Sequence, residues 1–148
     1  MAVTIRPARW RSERGAELIE FGIVAPLLIM LLAGIFDFGM MFRTFEAVTN
    51  AAREGARVGV LPGYGDMDVQ GRVDAYMAAS GLTGPYTVNV ANTSVATGAG
   101  TFTARSVTVD YTYQFVVLGP IGGMFGGNFT SIPLRAVSVM RTETQAGP

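Results

Sequence analysis

The chain has 148 residues, and its 11 arginines balance 11 acidic residues to give a formal net charge of zero. This length suits one small domain with an anchor but not two sizeable cores, and the neutral balance argues against a general polyanion-binding protein. Cysteine, histidine and lysine are absent. Their absence excludes disulfides, thiolate chemistry, Cys/His metal sites and a lysine Schiff base.

The arginines are concentrated at the N-terminus. Four of them precede residue 16 and are accompanied by one acid, Glu13, whereas the rest of the chain has seven arginines and ten acids. The four are Arg6, Arg9, Arg11 and Arg14. A short basic head on a mildly acidic body is typical of a membrane-inserted chain. We therefore expect residues 1–15 to form a basic leader peptide.

An apolar segment follows the leader. Residues 16–42 are predicted to form a transmembrane helix, because Phe21–Phe36 is uncharged and only Asp37 interrupts the run before Phe42. The uncharged part would be about 24 Å long as a helix, so its flanking residues are needed to cross a hydrocarbon layer of about 30 Å. A buried helix of a soluble domain is the alternative, but the chain that follows is too short to wrap such a segment on all faces. Pro26 is expected to kink the helix.

The arginine bias also predicts an orientation. Basic residues stay in the cytoplasm, so the residues after the span are expected on the other side of the membrane. An ordinary secretory signal fits poorly, because the apolar run is too long and no small-x-small cleavage site follows it. Ordinary cleavage is therefore not expected.

A different processing signal precedes the apolar run. The sequence Arg-Gly-Ala-Glu-Leu-Ile-Glu-Phe, from Arg14, resembles a class III signal peptide of type IV pilins. The resemblance implies that prepilin peptidase cuts between Gly15 and Ala16, and that Glu20 pairs with the new N-terminal ammonium of a neighbouring subunit. Glycine would leave the backbone accessible where the chain is still extended. The alternative to a role in processing and assembly is that Glu17 and Glu20 are simply carboxylates that cap the first turn of a helix.

The resemblance extends beyond the leader. Pro26 before a Leu-rich run, Asp37-Phe38-Gly39 and the segment Asn-Ala-Ala-Arg-Glu-Gly-Ala-Arg from Asn50 resemble the TadE/TadG group of pilin-like proteins of the tight-adherence (Flp) pilus system. The similarity covers roughly residues 14–60, and residues 136–143 are loosely similar to the C-terminal strand of that group. Glu17 departs from the family pattern, which has an apolar or small residue there.

The exported part, residues 43–148, is predicted to begin with a helical stalk over residues 43–60. Ala47, Ala51 and Gly55 form a stripe of small residues that allows another backbone to approach closely. Arg53 and Arg57 share a different face of this helix. The stripe indicates either a subunit interface or packing against the chain's own domain, and the sequence leaves both open.

A second helix and a sheet are predicted after the stalk. Periodicity predicts a helix over residues 67–80, and then alternation predicts strands at about 86–91, 104–117 and 134–141, with a loop over 92–100. Loops of this length favour an antiparallel meander. The predicted fold class is therefore α+β: a long N-terminal helix, a short helix and about three antiparallel strands.

No pattern of catalytic chemistry is found. The Gly-rich stretch from Gly119 to Gly127 lacks the Gly-Lys-Ser/Thr ending of a phosphate-binding loop, and we expect a mobile loop there. Asp66-x-Asp68 lacks the other ligands of a calcium loop and is expected to cap a helix. We predict no enzyme activity, no catalytic residue, no metal or cofactor, and neither nucleic acid nor a small molecule as partner.

Three functions compete. The first is a minor pilin-like (pseudopilin) subunit that prepilin peptidase processes and that acts with other pilin-like subunits and the assembly machinery in assembly, initiation or the tip of an adhesive pilus. The second is an uncleaved accessory protein, anchored in the inner membrane lipid, that holds or escorts other components. The third is a membrane-tethered module for a sugar or surface ligand, which would require an exposed aromatic patch.

Overall fold

The computed structural model describes residues 12–98, 100–124, 126 and 130–142. Residues 1–11 of the predicted leader lie outside this range. Phe125, within the Gly-rich stretch, and Asn128, just after it, also lie outside the described residues. The described part consists of one long helix, two shorter helices and one sheet.

Helix α1 runs from Ser12 to Gly59, so the predicted membrane segment and stalk are one continuous helix. It passes through Pro26 without ending there, although proline cannot donate to the carbonyl four residues earlier. Its start differs from the expectation that the chain is extended at Gly15: the helix has already begun at Ser12. Nothing in the sequence from Ser12 to Gly15 prevents the helix from starting early, since a single glycine costs only about 1 kcal/mol.

Helix α2 spans Asp66–Ala79. At its start the backbone N–H of Gly65 donates to the carboxylate of Asp68 over 2.8 Å, which satisfies one donor at the helix N-terminus. At its end Gly81 has a φ of +74°, and Leu82 N–H donates to the carbonyl of Met77 over 3.0 Å. A glycine suits this left-handed position, and the chain leaves α2 towards the sheet.

The sheet has three antiparallel strands in the order β1-β2-β3. They are β1 (Tyr86–Thr97), β2 (Gly100–Gln114) and β3 (Ser131–Arg141). The predicted loop over 92–100 is wrong, because β1 continues to Thr97 and pairs with the start of β2 at Gly100. Polar Thr, Ser and Asn side chains suit a solvent-exposed hairpin as well as a loop, which explains the error. The predicted α+β fold class, with an antiparallel meander, is confirmed.

A third helix, α3 (Leu118–Met124), lies between β2 and β3. The sequence predicted a mobile loop there, so this part of the prediction is wrong. Four consecutive positions from Leu118 carry Leu, Gly, Pro and Ile, and proline is tolerated in the first turn of a helix, where its missing N–H has no partner to lose.

The hydrophobic core lies where α1, α2 and the inner face of the sheet meet. Its fully buried members come from all three parts of the head: Val48, Ala51, Ala52 and Ala56 of α1, Val69, Val73 and Met77 of α2, and Val107 and Val109 of β2. Alternation along β2 directs its valines inwards. The second half of α1 is thus a structural part of the head rather than a separate stalk.

Candidate functional site

The first half of α1 carries the features of a membrane anchor. Among the described helices, α1 alone is long and apolar enough to cross a bilayer. Only 6% of its most apolar 18-residue stretch is buried inside the protein. Its large side chains point outwards; Leu18, for example, is 71% exposed. An apolar groove runs along one side of it, lined by Leu27, Met30, Leu31, Gly34, Ile35, Phe38, Gly39 and Phe42. Exposed apolar surface on this scale indicates lipid or other apolar helices as its surroundings.

The predicted processing residues lie at the start of α1. The Gly15–Ala16 bond is in the first helical turn, and a Cβ added at Gly15 would meet no atom within 4 Å. Ala16 and Glu20 are exposed, and no ion pair joins Glu20 to another residue in the part of the chain described. This end of the helix is therefore held by its own hydrogen bonds and not by packing.

The stripe of small residues lies mainly against the head. Ala51 is fully buried, and a Cβ added at Gly55 would come within 2.6 Å of Cγ2 of Val73. Ala47 is half-buried and borders a groove with the turn that follows α2, at Gly81 and Leu82. Of the two alternatives that the sequence left open, the structure favours packing within the chain for Ala51 and Gly55.

The two arginines of the stalk have different surroundings. Arg53 is exposed and borders a shallow groove of α1 with Phe45, Glu46, Thr49 and Asn50. Arg57 donates to Glu54 over 2.9 Å, and Arg72 of α2 donates to the same carboxylate over 3.0 Å. These hydrogen bonds from Arg57 and Arg72 lower the pKa of Glu54 below its ordinary value. Arg72 thus joins α2 to α1 at the surface of the head, whereas Arg57 binds Glu54 within α1 itself.

Asp37 is the polar centre of the junction between the apolar half of α1 and the head. Its side chain is fully buried, and both carboxylate oxygens accept hydrogen bonds from the backbone at the start of α3. Val116 N–H donates over 3.2 Å, Val117 N–H over 3.0 Å to one oxygen and 3.3 Å to the other, and Leu118 N–H over 2.7 Å. Asp37 thus caps α3 from 80 residues away in sequence.

Aromatic residues complete this junction. The hydroxyl of Tyr113 donates to the backbone carbonyl of Asp37 over 3.3 Å. Phe115 packs edge-on against Phe38 and against Tyr113, with ring centroids 6.1 and 5.5 Å apart. Burial and then the nearby Asp37 carboxylate raise the pKa of Tyr113. The end of β2 is therefore fixed to α1 by hydrogen bonds and ring contacts together.

Sequence reasoning noted Asp37 only as the single charge in the apolar run and as part of a family motif. The sequence signal for a functional role was present, since a charge within a membrane segment is costly and is generally paired. The partners carry no signal, because they are backbone N–H groups of apolar residues. Among the described residues, no group of three or more His, Cys, Asp or Glu side chains is placed to hold a metal.

These features define a layout in which a long apolar N-terminal helix continues into a small α+β head. The chain was then compared with protein families. Residues 15–57 match the family described as TadE-like protein, which confirms the resemblance seen in the sequence. The match begins at Gly15 and ends near the end of α1, so α2 and the sheet lie outside it.

No curated protein and no solved structure matches the chain. The match to the TadE-like family lies within α1, the helix that carries the features of a membrane anchor.

Proposed function

We propose that this chain is a minor pilin-like (pseudopilin) subunit, processed by prepilin peptidase, that acts in assembly, initiation or the tip of a tight-adherence pilus. The observation that carries the proposal is the TadE-like match, which begins at the glycine that precedes the expected cut. The packing of the chain supports it as well, since the core of the head uses only the second half of α1. The first half of α1 can therefore leave its contacts with lipid and pack against the helices of neighbouring subunits when the pilus is assembled.

Prepilin peptidase is the first proposed partner. The Gly15–Ala16 bond lies in the first turn of α1, so the peptidase has to open that turn to reach it. Opening costs little, because a helix end without packing frays readily and glycine is a poor helix former. After the cut, Glu20 would lie in the first or second turn of the shortened helix, near the positive end of the helix dipole.

Other pilin-like subunits are the second proposed partner. In a bundle of apolar helices with little water, the Glu20 carboxylate requires a cation, and processing creates one in the α-ammonium of Ala16. A neighbour shifted along the bundle presents that ammonium to Glu20. The Glu20→Gln protein should insert and fold normally but should co-purify poorly with its pilin-like partners; unchanged co-purification would make Glu20 a simple helix-end carboxylate.

The proposed topology places the N-terminus in the cytoplasm and the head beyond the inner membrane, because basic residues flank the start of the span. A reporter that is active only outside the cytoplasm, fused after Pro148, is expected to be active. A stable, membrane-bound but inactive fusion would refute this topology.

The decisive experiment measures processing. The full chain is co-expressed with and without a cognate prepilin peptidase, and its intact mass is determined. We expect loss of residues 1–15 only with active peptidase, and retention of the leader in a Gly15→Leu variant. If the leader is retained while a control prepilin is cut, the alternative function is favoured: an uncleaved, membrane-anchored accessory protein that holds or escorts pilus components.

The third candidate, a tethered ligand-binding module, receives no support from the described strands. It requires exposed aromatic side chains there, but Tyr113 is buried and Tyr86, Phe102 and Tyr111 are half-buried. Their packing against the helices and neighbouring strands accounts for the aromatic content of this region.

A further inference from the structure

The segment from Phe115 to Met124, which contains α3, is unusual in composition. None of its ten residues has a nitrogen or oxygen atom in its side chain, and no charged residue occurs between Asp110 and Arg135. Val116 is nevertheless 61% exposed. The hairpin at the other end of the sheet also lacks charges from Ala91 to Ala104, but it is rich in Thr, Ser and Asn. The two ends of the sheet therefore suit different surroundings.

Hydrogen bonds fix the level of this segment along α1. They join Val116, Val117 and Leu118 to Asp37, which lies inside the apolar half of the helix. A hydrocarbon layer of about 30 Å takes about 20 helical residues, so a layer that starts after Glu20 ends near Met40. Asp37 then lies about 4.5 Å inside the layer.

The covered part of α1 extends further into that layer. Ala33, one turn before Asp37, is only 8% exposed, whereas its neighbours Leu32 and Ile35 are 57% and 63% exposed. Ala33 and Asp37 lie on the same side of α1, because residues four apart share a face. One side of the helix is therefore shielded at a depth where its other sides would face lipid.

At this depth a carboxylate and the unpaired backbone N–H groups at the start of a helix are stable only if they form hydrogen bonds with each other. An unpaired carboxylate is costly away from water, and so is each unpaired backbone N–H. Here the three backbone donors at the start of α3 all find an acceptor in Asp37, and the carboxylate receives four hydrogen bonds. The arrangement removes the need for water at this place.

We propose that the 115–124 segment is a second membrane-contacting element, which Asp37 holds against α1 so that its apolar side chains enter the lipid on the head side of the bilayer. This inference rests on the proposed role of α1 as a membrane anchor. Contact at two places, α1 and the 115–124 segment, would fix how the head is rotated and tilted relative to the membrane before the subunit is incorporated. The partner is the lipid acyl chains of the bilayer itself.

The chain contains no cysteine, so single-cysteine variants can carry a nitroxide label without background. Labels are placed in the full chain at Val116 and Ile121 of the segment, at Leu28 of the predicted span and at Thr87, which is exposed on the outer face of the sheet. The proteins are reconstituted in vesicles of phosphatidylcholine and phosphatidylglycerol. Collision of each label with oxygen, which prefers lipid, and with a water-soluble nickel chelate is then measured.

We expect the labels at Val116 and Ile121 to behave like the one at Leu28, with collision with the nickel chelate several-fold lower than at Thr87 and collision with oxygen higher. If the label at Leu28 is lipid-exposed but the labels at Val116 and Ile121 collide with the nickel chelate as often as the label at Thr87 does, the inference is overturned. Labels shielded from both reagents would also overturn it, in favour of a protein partner. If Leu28 itself contacts water, the membrane anchor fails, which is a different result.

A second variant tests the role of Asp37. Asp37→Ala is combined with the label at Val116 or at Leu28. We expect the Val116 label to become more mobile and more accessible to the nickel chelate, because its segment loses its acceptor on α1, while the Leu28 label is unchanged. An unchanged Val116 label would show that Asp37 does not hold the segment.

Discussion

The two halves of α1 belong to one helix but have opposite surroundings. The first half exposes large apolar side chains such as Leu27 and Ile29, whereas the second half buries small ones such as Ala51 and Ala56. Large side chains give lipid or other helices a broad apolar surface, while small ones let α2 and the sheet approach the helix backbone closely. The half that anchors the chain therefore differs from the half that forms the head both in hydrophobicity, with one charge in residues 21–42 against five in residues 43–59, and in the size of the side chains on its apolar face.

The change from one half to the other takes place at Asp37. Towards the N-terminus nearly all side chains of α1 are exposed, and from Asp37 onwards one face is covered by the head. Substitutions on either side of this point should therefore have different effects, and the following experiments test that difference.

The largest effect is expected from Gly55→Leu. The new side chain would collide with Val73 and contact Val69 and Val107, and overpacking of a core costs about 1–3 kcal/mol, more than the gain in helix propensity. Thermal unfolding of the detergent-solubilised protein, followed by the near-ultraviolet circular dichroism of the head tyrosines, should show a clear loss of stability.

Gly39→Leu is the matched control, because the same helix has open space at Gly39. Its unfolding temperature should stay close to that of the unchanged protein. Equal effects of the two substitutions would mean that the head does not pack on the second half of α1 as described.

The next effect concerns the junction itself. Asp37→Ala leaves three backbone donors without their acceptor, and buried unpaired groups of this kind cost on the order of 1–3 kcal/mol. In detergent, hydrogen exchange of the amides of Val116, Val117 and Leu118 should accelerate, while the amides of Val107 and Val109 in β2 should keep their protection. Asp37→Asn keeps one acceptor oxygen, so its effect should be intermediate. Unchanged exchange in both variants would contradict the assigned hydrogen bonds.

A smaller effect is expected at the contact between α2 and β1. Tyr86 donates to Asp74 over 2.7 Å, and this hydrogen bond, followed by burial, raises the pKa of the phenol to about 12. The protonated phenol therefore stabilises the head fully below its ordinary pKa of about 10, and this contribution is lost as the pH rises from 10 through 12.

Tyr86→Phe should lower stability at pH 8 by about 1 kcal/mol and should make the decline between pH 10 and pH 12 less steep. A shallower decline should remain, since the pKa of Tyr113 is raised as well. Denaturant unfolding at several pH values measures both effects. An identical pH dependence in the variant would show that the Tyr86–Asp74 contact does not contribute.

The smallest effect is expected from Glu54→Gln, which weakens the ion pairs with Arg57 and Arg72 at the surface of the head. Exposed ion pairs contribute about 1 kcal/mol or less. The lowered pKa of Glu54 means that its contribution is present above its ordinary pKa and is lost as the pH falls through the folded value. The difference from the unchanged protein should therefore be small at pH 7, vanish in acid and shrink in high salt; a loss as large as that of Gly55→Leu would be inconsistent with this exposure.

The sequence alone determined the elements whose signals are local. The uncharged run from Phe21 to Phe36 indicates the apolar helix, Gly81 indicates where α2 ends, and alternation along β2 indicates which side chains face the core. Each of these features depends on residues within one or two turns or within one strand, so a short stretch of sequence contains the whole pattern.

Only the tertiary structure decided the features that depend on distant contacts. The stripe at Ala51 and Gly55 suits a neighbouring subunit as well as the head, and only the positions of Val73 and Val107 show which one covers it. Asp37 is an isolated charge in sequence, and its partners are backbone N–H groups 79 to 81 residues away that every residue except proline possesses. Backbone donors leave no pattern in a sequence, so a carboxylate that depends on them can be recognised only when the chain has folded.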